Sequence, residues 1–177
     1  MAANARVLDA AAIGRALTRM AHEIVEQNPA APLLAFVGIH SRGGPLARRL
    51  AEKIHAITGQ DYPVGSIDIG MHRDDLALRD ELPVVGASDI SFDVTDRVIV
   101  LVDDVLFTGR SIRAALDEIT DFGRPSKIQL AILVDRGHRE LPIRPDYVGK
   151  NLPTKREQKV RVHLAELDGT DEVVIES

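Results

Sequence analysis

The sequence predicts an α/β fold, a central and mostly parallel sheet flanked by helices, with a small C-terminal hood or hairpin region. Three observations carry that prediction. Short apolar runs at Leu33–Ile39, Val64–Ile69, Val98–Val102 and Ile128–Val134 read as buried strands. Helical periodicity separates them over Leu46–Ile57 and Ser111–Phe122, so strand, helix, strand occurs twice, the pattern of parallel βαβ units. The chain has 177 residues, 45% hydrophobic and 28% charged, which suits one domain, 1–177, with a real core. Aromatics make up only 3%, so aliphatic side chains must fill that core. The same composition excludes a disordered chain, which needs few apolar residues and high net charge. The longest apolar stretch, Ala30–Ile39, contains Pro32 and Gly38 and is far too short to span a bilayer. Residues 1–27 carry charges of both signs and no apolar signal core, so a cytoplasmic location is expected. Cysteine is absent, which excludes disulfides, thiolate nucleophiles and zinc ribbons.

Taken in order, the first helix begins at Asp9, a natural N-cap, and Ile13, Leu17, Met20 and Ile24 recur at helical spacing. Arg15, Thr18, Arg19 and His22 follow the same period and form one polar stripe about opposite the apolar one. After the strand Leu33–Ile39, His40–Gly44 is a loop and Pro45 suits a first helical position. The helix ends at Gly59. Residues from about 70 to 90 show no clear period and read as a long functional loop, a lid. Gly123 is expected to stop the third helix. Beyond Asp135 the texture changes to an appendage, with Lys159–Glu166 and Glu172–Glu176 flanking Asp168-Gly169, a hairpin signal.

Charge is uneven. The net charge is −5, yet residues 136–163 hold eight Lys and Arg against three acids. The tail from Leu164 holds five acids and no base. An acidic chain can thus carry a basic face, together with the stripe on the first helix.

The most informative segment runs from Val98 to Ser111. It is a buried strand, two carboxylates (Asp103, Asp104), then Val105-Leu106-Phe107 and a turn Thr108-Gly109-Arg110-Ser111 opening a helix. In parallel sheets ligands bind at the carboxyl ends of strands. A helix N-terminus with small hydroxyl residues and glycine offers N–H groups to a phosphate. Paired carboxylates suit vicinal hydroxyls or a magnesium ion. Gly38-Ile39-His40-Ser41-Arg42-Gly43-Gly44 also joins a strand to a helix. It lacks the Lys-Ser or Lys-Thr of a nucleotide P-loop, but Arg42 is a forked donor suited to a diphosphate.

On these residues the chain resembles the phosphoribosyltransferases, which implies a type I phosphoribosyltransferase fold and a site for 5-phosphoribosyl-1-diphosphate (PRPP) with Mg2+. By that resemblance Asp103 and Asp104 hold the ribose hydroxyls and Thr108–Ser111 hold the 5′-phosphate. Ser41 and Arg42 then belong to the diphosphate loop, and Arg73 in the lid reaches the leaving diphosphate. The resemblance narrows to the PyrR family through Ala16–Glu23, Val134–Arg144 and Asp146–Asn151. It implies a uracil phosphoribosyltransferase that also binds the leader RNA stem-loop of pyrimidine-synthesis messages, with UMP or UTP as co-repressor. The implied RNA contacts are Thr18, Arg19, His22, His138, Arg139, Arg144 and Lys150, and Arg15 joins them as a member of the same helix stripe. The implied assembly is a homodimer or larger homo-oligomer. Asp135, Arg136 and Val160 are candidates for the base site by position. Three departures stand out: His40-Ser41-Arg42-Gly43 where many relatives have Lys-Thr-Arg-Gly, His72 in place of an aromatic residue, and Pro145. Two alternatives stay open here: an RNA-binding regulator with vestigial catalysis, and a salvage phosphoribosyltransferase without RNA binding.

Overall fold

The computed structural model describes residues 4–29, 33–70 and 88–177. Arg73, His72 and most of the segment read as a lid therefore lie outside the described residues. Five parallel strands form the main sheet in the order β3-β2-β4-β5-β6. They are β2 (Leu34–Ile39), β3 (Val64–Ile67), β4 (Val98–Leu106), β5 (Lys127–Asp135) and β6 (Tyr147–Asn151). Three further strands, β1 (Asn4–Leu8), β7 (Lys159–His163) and β8 (Glu172–Glu176), form an antiparallel sheet in the order β1-β8-β7.

Helices cover both faces of the main sheet. On one face lie α1 (Ala10–Gln27) and α2 (Gly43–Thr58), whose Ile13, Leu17, Ile24, Leu46, Leu50 and Ile54 are essentially inaccessible. They pack on Phe36, Val100, Val102, Ala131 and Leu133, and the same cluster takes in Val162 and Val173 from the small sheet and Leu164 just after β7. On the other face α3 (Arg110–Thr120) sets Ile112, Ala115 and Ile119 against Val37, Ile99, Leu101 and Ile132. Alternation along each strand explains this division, since successive side chains of a strand point to opposite faces. No helix among the described residues is long and apolar enough to cross a membrane.

Several local expectations hold. The Ala12 amide donates to Asp9 Oδ1 (2.8 Å), so Asp9 does cap α1. Gly59 ends α2 at a φ of 75°, a left-handed conformation that glycine enters without penalty. Other boundaries move. Pro45 is the third residue of α2 rather than its first. Strand β4 runs on to Leu106, so Asp103 and Asp104 lie within its hydrogen-bonded length and not just past it. Asp121, not Gly123, is the C-cap of α3.

The region after Asp135 differs most from expectation. Its first part is not an appendage: Tyr147–Asn151 is β6, the fifth strand of the main sheet, paired in parallel with β5. Lys159–His163 and Glu172–Glu176 do pair antiparallel, but a short helix α4 (Ala165–Asp168) joins them. Gly169 serves as the left-handed C-cap of α4 (φ 77°) rather than as half of a two-residue turn. The small sheet also takes its edge strand β1 from the N-terminal segment, where no strand was expected.

Candidate active site and nucleic-acid interface

The sheet order contains a switch point. From β2 the chain crosses to β3 on one side, and β4 lies against β2 on the other. The carboxyl ends of β2 and β4 therefore flank the crevice where open α/β sheets bind ligands. Both candidate loops leave from these two ends. His40-Ser41-Arg42 follows β2, with a cis peptide between His40 and Ser41. The first loop is pressed onto the sheet: a Cβ on Gly43 would lie 2.4 Å from the Val102 carbonyl oxygen, and one on Gly38 would lie 2.3 Å from that of Gly43. Only glycine permits this approach of α2 to β4.

Asp103 is 8% exposed, and Asp104 is partly buried. The Asp104 amide donates to Asp103 Oδ1 (2.8 Å), and the Val105 amide donates to Asp104 Oδ1 (2.8 Å). Each carboxylate is thus held by the backbone of the next residue. Asp104 lines a polar cavity with Arg42 from the other loop and with Val160, Arg161, Val162 and His163 from β7. Two of the expected site groups and one base-site candidate therefore meet. Around the turn, the Arg110 amide donates to Thr108 Oγ1 (3.3 Å), and Gly109 sits at a φ of 96° as the N-cap of α3.

Asp135 and Arg136 do not face that cavity as free groups. Asp135 accepts a hydrogen bond from Arg139 Nη2 (2.6 Å). Arg136 is 6% exposed, and its guanidinium lies 4.1 Å from the centre of the Phe107 ring. Its Nη2 donates to the Lys155 carbonyl (2.9 Å). Burial, and then the charge of Arg156, pull its pKa below the ordinary arginine value. Nothing in the local residue pattern signals this inward turn.

The candidate RNA contacts divide in two. Arg139 is committed internally, donating to the carbonyls of Phe107 (2.9 Å) and Ile143 (2.9 Å) as well as to Asp135. The His138 ring nitrogen Nε2 lies 2.7 Å from the Thr154 carbonyl oxygen, and its ring meets Phe107 edge-on. Arg19, on the exposed face of α1, donates to Val148 O (3.1 Å) and Gly149 O (2.6 Å) and pairs with Glu23. Thr18 Oγ1 accepts from Lys53 Nζ (2.9 Å). Arg15, His22, Arg144 and Lys150 are exposed, and no hydrogen bond or ion pair holds them among the described residues. Arg19 brings the α1 stripe alongside β6, which carries Lys150, so helix and strand share one polar surface.

The acids after Leu164 are visible in the sequence, but their pairing with Arg42 and Arg49 around α4 is not. Arg42 Nη2 donates to Asp168 Oδ1 (2.7 Å) and its Nε to Oδ2 (3.3 Å). Arg49 pairs with Glu166 and with Asp171, the latter at 2.8 Å. These arginines hold all three carboxyls below their ordinary range, and the carboxylates in turn raise the Arg49 pKa.

Comparison with known proteins agrees with this fold. Residues 3–167 match the family described as phosphoribosyl transferase domain. The chain is 55% identical to the bifunctional protein PyrR of Acetivibrio thermocellus, covering 97% of this chain and 94% of the relative. It is 57% identical to the bifunctional protein PyrR of a Roseiflexus species, covering 93% and 90%. Among solved structures, a hypoxanthine phosphoribosyltransferase of Trypanosoma cruzi superposes with a TM-score of 0.76 at 15% identity, covering 97% of this chain and 94% of that one. A hypoxanthine-guanine phosphoribosyltransferase of Bacillus anthracis does so with a TM-score of 0.73 at 14% identity, covering 96% of each chain. At such identities the solved structures speak for the fold.

Proposed function

Because the chain belongs to the PyrR family of phosphoribosyltransferases, we propose that it makes UMP from uracil and PRPP and binds the leader RNA of pyrimidine-synthesis messages under uridine-nucleotide control. The observation that carries the catalytic half is the meeting of Arg42 and Asp104 in one cavity at the switch point. In the reaction, uracil N1 bonds to C1′ of the ribose, the C1′–oxygen bond to the diphosphate breaks, and the N1 proton is released. The diphosphate leaves as positive charge builds on the ribose. Asp103 and Asp104 accept hydrogen bonds from the 2′- and 3′-hydroxyls and lie close enough to favour that charge. The amides of Thr108–Ser111 hold the 5′-phosphate at the start of α3, and Arg42 holds the departing diphosphate. Val160, on the cavity wall, is assigned to the base site.

Magnesium fits the same residues. Among the described residues no cluster of three or more His, Cys, Asp or Glu forms a metal cage. Two carboxylates beside a phosphate site suit an ion that takes one or two protein ligands and completes its shell with phosphate and water. When bound, magnesium neutralises diphosphate charge.

For the RNA half, we assign direct contact to Arg15, His22, Arg144 and Lys150, which keep their charges or donors exposed. Arg19, His138 and Arg139 act by shaping that surface. A homodimer or larger homo-oligomer in the cytoplasm completes the proposal. The deciding experiment incubates the protein with PRPP, magnesium and a panel of pyrimidine and purine bases. UMP formation supports the reading, and turnover of a purine with none of uracil would overturn it. A gel shift with a messenger leader stem-loop tests the second half: a shift that UMP strengthens is expected, and no shift removes it.

A further inference from the structure

The fold sets an acidic group against the residue that should receive the diphosphate. Arg42 directs two of its N–H donors at the two oxygens of Asp168, at 2.7 and 3.3 Å. Paired donors meeting paired oxygens is also how a guanidinium grips a phosphate. Asp168 is not loose. The Leu164 amide donates to its Oδ2 (2.8 Å), and Arg49 anchors Glu166 and Asp171 on either side of it. The whole segment is thereby tied to α2, the helix that Arg42 precedes. The partners come from opposite ends of the chain, and one of them, Arg42, lines the same cavity as Asp104.

We propose that Asp168 is a built-in competitor for the diphosphate of PRPP: its carboxylate occupies the Arg42 fork and must yield it before the diphosphate binds. This inference rests on the assignment of Arg42 to the diphosphate loop. Two anions cannot both hold one guanidinium fork, and a carboxylate left beside a diphosphate is repelled by it. PRPP binding therefore turns Asp168 away and loosens the Leu164–Gly169 turn. Free Arg42 would bind PRPP more tightly, so Asp168 sets the PRPP concentration at which the enzyme works. Asp168 acts through Arg42 and does not touch the reacting atoms.

The test compares Asp168→Asn with Glu166→Gln in the full chain. Asparagine keeps an oxygen for the Leu164 amide but forms no ion pair with Arg42. The control removes one negative charge from the same segment, away from the Arg42 fork. Asp168→Asn should lower the PRPP Kd and KM about two- to fivefold, the scale of one partly exposed ion pair, with kcat little changed. Glu166→Gln should leave both near wild type. A raised KM in Asp168→Asn would mean that the carboxylate positions Arg42, and the proposal fails. It fails also if both variants shift KM equally, since that is a general charge effect, or if neither does. In the wild type, PRPP with magnesium should speed hydrogen exchange at Leu164–Gly169, and unchanged or slowed exchange overturns the release of Asp168. Wild-type protein that binds no PRPP overturns the assignment of the site itself. Wild-type protein that binds PRPP beside an unresponsive Asp168→Asn overturns the competitor alone.

Discussion

Asp104 and Arg19 show how differently two polar side chains on the same molecule are used. Asp104 is held by the Val105 amide within a nine-residue strand, so its carboxylate is fixed before any ligand arrives. A preorganised charge of this kind contributes mainly in the transition state. Asp104→Asn keeps the shape and an acceptor oxygen but removes the charge. It should cost about 2–4 kcal/mol of transition-state stabilisation, read as a fall in kcat at saturating PRPP, with an unchanged thermal midpoint. A near-wild-type rate would remove Asp104 from the site. Arg19 has the opposite profile. Its guanidinium reaches two β6 carbonyls and Glu23 from a half-exposed position. Arg19→Gln should therefore leave uracil turnover near normal and lower stability by about 1 kcal/mol, the usual scale for such contacts. RNA affinity should fall because β6 is no longer braced against α1. Equal losses of turnover and RNA affinity would mean that the α1 stripe serves the catalytic site.

At the scale of elements, the acidic turn around α4 should be the acid-sensitive part of the molecule. Arg49 holds Glu166 and Asp171 below their ordinary pKa, and Arg42 does the same for Asp168. A depressed folded-state pKa means that the unfolded chain binds more protons as pH falls. The stabilisation is therefore complete above the unfolded carboxylate values of about 4. It drains away as pH drops through the lower folded ones. Hydrogen exchange measured from neutral pH to about pH 3, corrected for intrinsic rates, should show β7 and β8 losing protection before β4 and β5. Simultaneous loss across both sheets would refute this. The same elements show what was legible in the sequence and what was not. The buried strands were legible because their apolar runs leave no other reading, as at Leu34–Ile39, where all six residues are buried. The end of β4 was obscured because Asp103 and Asp104 interrupt the apolar run while the ladder to β5 continues. The strand β6 was missed because it is short, contains Gly149 and ends in exposed Lys150 and Asn151, which is what an edge strand tolerates. Asp168-Gly169 misled because a left-handed glycine serves a helix end as readily as a hairpin. The strand, carboxylate pair and Thr-Gly turn from Val98 to Ser111 were legible as a local string. The pairing of Arg42 with Asp168 was not, because it joins residues 126 apart in the chain.

For the molecule as a whole, the question is how a nucleotide bound at the switch point, as proposed, would act on the proposed RNA surface of α1, β6 and the segment after β5. Phe107 supplies a physical link. Its ring is covered by the guanidiniums of Arg136 at 4.1 Å and Arg156 at 5.6 Å and is met edge-on by His138. Its carbonyl accepts from Arg139, whose other donors hold Asp135 and Ile143. The neighbouring Thr108 carbonyl accepts from the Glu140 and Leu141 amides. Glu140 in turn pairs with Arg110, inside the phosphate turn, and with Arg156. The Thr108–Ser111 turn and residues 135–156 are thus one hydrogen-bonded unit, with Arg144 and Lys150 displayed on it. A nucleotide phosphate that orders the turn also orders this unit, and the RNA then meets a surface whose ordering cost is already met. UMP should accordingly strengthen RNA binding by a coupling of about 1–3 kcal/mol, and by linkage RNA must strengthen UMP binding by the same factor. Affinity should also fall steeply with salt, because each phosphate contact releases counterions. Labelled leader RNA titrated with and without UMP at two salt concentrations checks both claims. An affinity indifferent to UMP would break the link through Phe107, and one indifferent to salt would remove the basic face itself.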